Sequence, residues 1–492
     1  GHLLLLGHNP GLPDLVAELA SAASQRWPKG KLPTIVVLSE TPFEMGSVGL
    51  SAKLRKRMRV IARTGSPSEE SSLKRADFTR ASVILVLSSR SRRGPGPSDL
   101  HVLKTLSALR NRLTQDAPRV VLDLSYPPNA RLIPSLAGSL QTESLSSLEL
   151  TGRLLCQCLR HPGISQAYRQ LLSDSIGQSI LLHPCPPHVR GQTLGRLRQD
   201  IRGGILIGLV RQGQAALMSW EQVLVGSDEL VVIAANLSDV RFEADVADPQ
   251  SFGVSPIQVR KDILRILAVG WNESLLSLAR ELSHYRKERF HLTVMASLSE
   301  EQTSSLRDAL GENGEFALVA RHLRNHEELK HLPEGDFDRI LLLAGEHPDP
   351  AVSDAETALR YALLLERDSR FVVELHEESN APLFGDSPDV LTTDQVINHM
   401  LAQVALKPSF RDLYEELFTY GGCELHLLRL AELLPGTSLT VSSWRQLSLT
   451  LFERGFLALG VEELRLHLNP PDDLEFAVNP LTRVLILTTP RN

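Results

Sequence analysis

Two α/β lobes in tandem, each a doubly wound parallel sheet of Rossmann-like form, are the fold this sequence predicts, and three observations predict it. Apolar strand-sized runs alternate with amphipathic stretches of about 10–18 residues, the pattern of βαβ units. The pattern is written twice: LLLLGHNPGLPDLVAELA at Leu3–Ala20 returns as LAVGWNESLLSLAREL at Leu267–Leu282. Superposition places Gly7 on Gly270, Asn9 on Asn272, Leu12 on Leu275, Leu15 on Leu278, Glu18 on Glu281 and Leu19 on Leu282. Each lobe then runs into a long helical passage interrupted by proline, followed by short strands and glycine turns. The expected class is α/β, with each lobe followed by a crossover helix-turn-helix and a small α+β C-terminal lobe.

The elements follow in order. After the opening strand, turn and helix, TIVVL (Thr34–Leu38) answers HLTVMA (His291–Ala296), and SVILVLSS (Ser82–Ser89) answers DRILLLAG (Asp338–Gly345). Ser98-Asp99 and Ser353-Asp354 each precede an apolar helical stripe, which reads as an N-cap signal. RVVLDLS (Arg119–Ser125) answers RFVVELH (Arg370–His376) as a buried strand. The helical passages Leu150–Leu172 and Val396–Phe418 break at Pro162-Gly163 and at Pro408. Proline removes a helix donor and clashes with the preceding turn, so both are expected to be elbows. Their stripes, Leu154, Leu155, Leu159, Ile164, Tyr168 and Leu171 in the first, need a second surface to cover them. The expected boundaries are 1–149, first lobe; 150–175, crossover helices; 176–238, first C-terminal lobe; and 239–260, a polar linker. The second half repeats them as 261–395, lobe; 396–421, crossover helices; and 422–492, C-terminal lobe.

At 492 residues the chain exceeds one core, and a prior of about 100–200 residues per domain gives two to four. Its 42% apolar and 22% charged residues are ordinary for a globular protein. A formal charge of −6 is small and argues against nucleic-acid binding, which wants a basic face. No apolar run reaches the roughly 20 residues that span a bilayer, and no basic-then-apolar leader is present. The start inside a strand leads us to expect a fragment of a longer protein. Cys156, Cys158, Cys185 and Cys423 have no zinc-like spacing and are expected to be reduced and packed. The sixteen histidines are scattered, and His183 with His188 reads as a surface pair. GxSxG, HExxH, GxxxxGK[ST] and CxxC are all missing, so catalysis is not expected.

The turn chemistry narrows the ligand. A dinucleotide fingerprint uses its first glycine for a tight turn, its second for approach of the pyrophosphate and its third for helix packing. Here those positions read Gly7, Asn9, Leu12 and Gly270, Asn272, Leu275. Only the turn glycine remains, and Glu40 is the acid placed where ribose would be bound. Nucleotide is therefore not the expected ligand, although Gly7, Asn9, Glu40, Gly270 and Asn272 mark where a nucleotide or anion would sit. Asn9 and Asn272 are expected to hydrogen-bond local backbone instead.

GRLLCQCLRHPGISQAYRQLL carries a more specific likeness. Gln157, Cys158, Arg160, Gly163, Tyr168, Leu171 and Leu172, with the Gly-x-Asn openings, resemble CASTOR/POLLUX-type ion channels. The repeated lobe, elbow and C-terminal lobe resemble the RCK domains that regulate potassium conductance. The resemblance implies pore helices upstream of residue 1 and a homotetrameric gating ring on the cytoplasmic side of a membrane. It also implies control by divalent cations, calcium in particular. Leu155, Leu159, Tyr168 and Leu406 would then be buried interface contacts. Calcium takes about six to eight oxygen ligands. The carboxylates to consider are Glu346, Asp349, Asp354 and Glu356 in the second lobe, with Asp99 in the first, and Glu69, Glu70 and Asp77. Two other readings remain: a nucleotide sensor or NAD-dependent oxidoreductase, and a soluble regulatory subunit of a separately encoded transporter.

Overall fold

The first sheet comprises β1 (His2–Leu6), β2 (Ile35–Ser39), β3 (Val60–Thr64), β4 (Ala81–Val86), β5 (Arg119–Leu124) and β6 (Thr142–Ser146). Its order is β3-β2-β1-β4-β5-β6, with every pairing parallel. These features come from a computed structural model. It describes residues 1–492 apart from 28, 45, 47, 90–95, 114–116, 173–176, 244–262, 322, 324–332, 334, 346, 348, 366–369, 386–387, 435–440, 464, 478–481 and 490–492. Leu3 to Leu6 are all buried because β1 is central and both faces of a doubly wound sheet are covered.

The first C-terminal lobe holds β7 (Ser179–Pro184), β8 (Ile201–Arg202), β9 (Ile205–Arg211), β10 (Gln214–Leu217), β11 (Glu229–Ala234) and β12 (Arg241–Phe242). Four of these form an antiparallel sheet, β10-β9-β11-β7, and β12 pairs with β8. β12 uses the first residues of the stretch expected to be linker. Residues 244–260 of that linker, with 261–262 of the expected second lobe, lie outside the described residues.

The second half repeats the plan. β13 (Ile263–Val269), β14 (Arg289–Met295), β15 (Gly314–Val319), β16 (Arg339–Leu342), β17 (Arg370–Leu375) and β18 (Asp389–Thr392) form a parallel sheet. Its order, β15-β14-β13-β16-β17-β18, is the same as that of the first lobe. β19 (Glu424–Arg429), β20 (Val441–Ser443), β21 (Leu457–Glu462), β22 (Leu466–Leu468), β23 (Glu475–Ala477) and β24 (Arg483–Thr488) build the last lobe. There β19-β24-β21-β22 is antiparallel and β20 pairs with β23.

Both elbows form. The first consists of helices Ser147–Arg160 and Ser165–Leu171, with Gly163 at φ +90° in the turn. The second consists of Thr393–Leu406 and Phe410–Phe418, parted at Pro408. Two helix starts differ from expectation. The second-lobe helix begins at Pro350, where the Asp349 side chain accepts from Ala351 N at 3.0 Å, so Ser353 is inside the helix. An Asp-Pro step outcompetes the later Ser-Asp because proline is pre-organised for the first helical position. The first-lobe helix likewise spans Gly96–Arg110 and starts ahead of Ser98.

Contacts divide the chain into two units, Gly1–Cys156 with Ile263–Pro408, and Gln157–Asp262 with Ser409–Asn492. The first unit contains both parallel sheets and the second the four antiparallel ones, two of four strands and two of two strands. In the first unit, each half's crossover helix covers the other half's opening helix. Helix Leu12–Arg26 packs along Thr393–Leu406, and the Asn398 side-chain amide donates to Gly11 O at 3.0 Å. Reciprocally, Ser147–Arg160 meets the helix Ser274–His284 at Gly152. The aligned Glu18 and Glu281 complete the symmetry. His399 Nδ1 lies 3.0 Å from the Glu18 carboxylate, and Arg153 Nε 3.9 Å from that of Glu281.

In the second unit the elbows present aromatic rings to each other. Tyr168 stands edge-on to Phe418 at 5.5 Å between centroids, and Phe418 stacks on Tyr414 at 5.9 Å. An edge-to-face pair contributes about 0.5–1.5 kcal/mol beyond its buried area. Tyr168→Leu is expected to destabilise the chain by about 1–2 kcal/mol, read as an earlier denaturant midpoint; an unchanged midpoint would show the ring contact to be idle.

Candidate ligand sites

The first lobe carries a crevice of 330 Å³ at the carboxyl ends of its central strands. In open α/β sheets this is where ligands bind, at the point where strand order reverses. Three of the residues marked for nucleotide or anion, Gly7, Asn9 and Glu40, are brought together there with His8, His101 and Lys104. Gly7 sits at φ +106°, and a Cβ on it would lie 2.9 Å from Leu87 O, so the tight turn does require glycine. Burial pushes the His8 imidazole below its ordinary value, favouring its neutral form.

Asn9 is 1% exposed. Its Nδ2 donates at 3.2 Å to Ser88 O, just beyond β4. In the second lobe Asn272 Nδ2 donates to Ala344 O at 3.0 Å and to Glu374 Oε2 at 2.7 Å. Each asparagine therefore bridges neighbouring strand ends of its own sheet, Asn9 in the crevice wall and Asn272 at the matching place of the second lobe, a longer reach than the local turn bond expected. Only the Asn272 oxygen is local, accepting from Ser274 N at 3.0 Å. The bridge occupies the place where backbone must approach a pyrophosphate. Gly270, at φ +107°, makes the same turn as Gly7.

The carboxylates marked for calcium have mostly found other partners. Asp99 is fully buried and accepts from Ser125 N (2.7 Å), Tyr126 N (2.9 Å) and Asn129 Nδ2 (2.8 Å). Asp354 does the same for His376 N (3.0 Å), Glu377 N (3.0 Å) and Asn380 Nδ2 (2.9 Å). These twin aspartates fasten a helix to the turn after β5 and after β17. Glu356 lies 3.4 Å from Arg360, and Asp349 caps its helix. Glu346 lies outside the described residues. Glu69 and Glu70 start the short helix Glu70–Arg75, and Asp77 follows its end, 3.6 Å from Arg80. The Lys74 ammonium, 2.6 Å from Glu70, holds that carboxyl below its ordinary value, with Arg112 assisting.

A different carboxylate group was not read from the sequence. Burial pushes the Asp14 carboxyl above its ordinary value, and the charges of Glu18, Asp394 and Glu377 push it further. These four acids come from three separated segments of the first unit, and only the alignment of Glu18 with Glu281 hinted at a special place. Of the residues expected at an interface, Leu155 and Leu159 are fully buried and Tyr168 is 1% exposed. Leu406 is half-buried, and its carbonyl accepts from Arg26 Nη1 at 2.5 Å. All four cysteines are buried thiols outside any disulfide, and burial raises the Cys423 thiol.

Residues 148–248 match the family model described as Castor and Pollux, part of voltage-gated ion channel. That segment contains the residues that carry the resemblance read from the sequence. The chain is 23% identical over 487 residues to the ion channel CASTOR of Lotus japonicus, covering 87% of this chain and 55% of that one. This chain is similar to the CASTOR and POLLUX ion channels. The CASTOR-like match recurs with the probable ion channel SYM8 of Pisum sativum, 26% identical over 393 residues, 75% of this chain and 41% of that one. The CASTOR/POLLUX-like chain thus spans about half the length of the curated relatives it matches. Its fold is that of the human SLO3 gating ring, with a TM-score of 0.68, 16% identity and 100% of both chains covered. The tandem plan expected from the sequence, two parallel α/β lobes each followed by an elbow and an antiparallel lobe, is therefore the one present. Among the described residues, no helix is long and apolar enough to cross a membrane.

Proposed function

We propose that this chain is the cytosolic, ligand-sensing gating-ring portion of a CASTOR/POLLUX-like cation channel. Four chains would form the ring, and binding of a divalent cation, calcium first among them, would be converted into pore gating. The observation that carries this reading is the likeness of the whole chain to a gating ring, joined to its similarity to CASTOR. The energetics are undemanding. Moving a closed:open ratio from 99:1 to 1:99 takes about 5.5 kcal/mol of differential binding. Divided among four chains this is about 1.4 kcal/mol each, roughly a tenfold preference per site.

The group Asp14, Glu18, Glu377 and Asp394 supports a cation ligand. Burial and the charges of Glu18, Asp394 and Glu377 disfavour ionisation of Asp14, and a divalent cation would relieve that repulsion. The sign of the pH effect follows. Asp14 is raised above 3.8, so folding disfavours its ionised form, and its unfavourable contribution appears as pH rises through that raised value. Asp14→Asn is expected to be neutral or stabilising at pH 7 without calcium and to weaken calcium binding several-fold. Light scattering of the purified chain with and without millimolar calcium, plus isothermal titration, tests the whole reading. A tetramer that binds calcium supports it; a monomer stabilised by NAD or ATP supports the nucleotide-sensor alternative and overturns it.

A further inference from the structure

A second cluster of ligating side chains lies in the other unit. His161 follows the last turn of helix Ser147–Arg160, directly before Pro162-Gly163. Glu424 and His426 are two apart on β19, so they share a face of that strand. One ligand atom from each of the three lies within 4.8 Å of the other two. His426 Nε2 is 3.6 Å from Glu424 Oε2, and the two imidazole rings meet edge-on at 4.4 Å between centroids.

We infer that His161, Glu424 and His426 form a binding site for a late first-row divalent metal ion, zinc in preference, which fastens the first elbow to β19. Two imidazoles and one carboxylate suit zinc, with a water completing four ligands; calcium and magnesium select all-oxygen sets. Zinc bonds of about 2.0–2.2 Å put tetrahedral ligand atoms ~3.4 Å apart. The existing spread of up to 4.8 Å needs closing by about 1.4 Å at its widest, which side-chain torsions supply. The carboxylate is already oriented: Arg160 Nη1 holds Glu424 Oε1 at 3.0 Å, leaving Oε2 toward His426. Such an outer contact fixes a ligand's direction.

The surroundings also keep the site in place. Gly163, at φ +90°, lies so close to β19 that a Cβ on it would stand 2.8 Å from Leu427 Cδ2. The cluster is not a by-product of the repeat. Aligning the elbow helices on Arg153 and His399 places Lys407 opposite His161, and an ammonium is not a metal ligand. Among the described residues, only the first elbow carries the site. This inference does not rest on the channel reading, since it concerns binding alone.

Titration of the chelator-stripped full chain with zinc chloride tests it. We expect one ion per chain with micromolar or tighter affinity and no displacement by millimolar calcium or magnesium. His161→Gln and His426→Gln should each weaken binding at least a hundredfold, and Glu424→Gln at least tenfold. Cobalt on the unaltered chain should give d–d bands without thiolate charge transfer, a readout independent of any variant's folding. No saturable binding, sulfur ligation, displacement by calcium, or full affinity in either histidine variant would overturn the site.

Discussion

Gly152→Val is expected to cost the chain about 3 kcal/mol of stability, seen as a markedly earlier thermal and denaturant midpoint. Glycine inside a helix is ordinarily a weakness of about 1 kcal/mol against alanine, so side-chain substitution there often helps. Here a Cβ would stand 2.6 Å from the backbone nitrogen of Leu278 and 2.6 Å from Ser277 Cβ. Backbone cannot swing aside as a long side chain can, so the two helices must separate. Overpacking of this kind typically costs about 1–3 kcal/mol, and valine adds γ-carbons and a poorer helix propensity. Separation would also stretch the Arg153–Glu281 contact, already 3.9 Å. Gly49→Ala is the matched control, because nothing lies within 4 Å of its added carbon. Equal midpoints for the two variants would refute the close helix crossing.

Asp354→Ala is expected to lose about 3–5 kcal/mol, and Asp99→Ala a similar amount. Each substitution strips partners from two backbone amides and one asparagine amide at a buried position. A buried donor left unsatisfied costs about 1–3 kcal/mol. The comparison separates two roles for these residues. A structural fastener gives a destabilised protein whose remaining folded fraction still responds to calcium. A calcium ligand gives a stable protein that has lost the response, and that result would reject the fastening role. Denaturant melts run with and without calcium distinguish them.

Most of the architecture was legible because it is written in local patterns. Apolar runs such as Leu3–Leu6 and Val120–Leu122 announce buried parallel strands, and the repeated Gly-x-Asn turn announces that the sheet occurs twice. The prolines at 162 and 408 gave the elbows. What was not legible depends on distant partners. Nothing near Asn398 signals a bond to Gly11, 387 positions away. Asp354 read as a helix-opening acid and a calcium candidate because its three donors come from the turn after β17, beyond any helical spacing. Charge in a sequence reads as solvent or ligand by default; only the fold reveals that a carboxylate is spent on backbone amides. The acids around Asp14 and the trio at His161 were missed for the same reason, as each is gathered from segments with no shared motif.

The exchange of crossover helices has a consequence for how the two halves could diverge. Separate polypeptides that clasp in this way must find each other, and dilution parts them. Joined by one linker, they meet at an effective concentration in the millimolar range whatever the abundance of the protein. Pairing is thereby guaranteed by covalent connection, and identity between the copies is no longer needed to preserve it. One copy can keep an open crevice and a histidine at its bend while the other holds lysine there and serves as a brace.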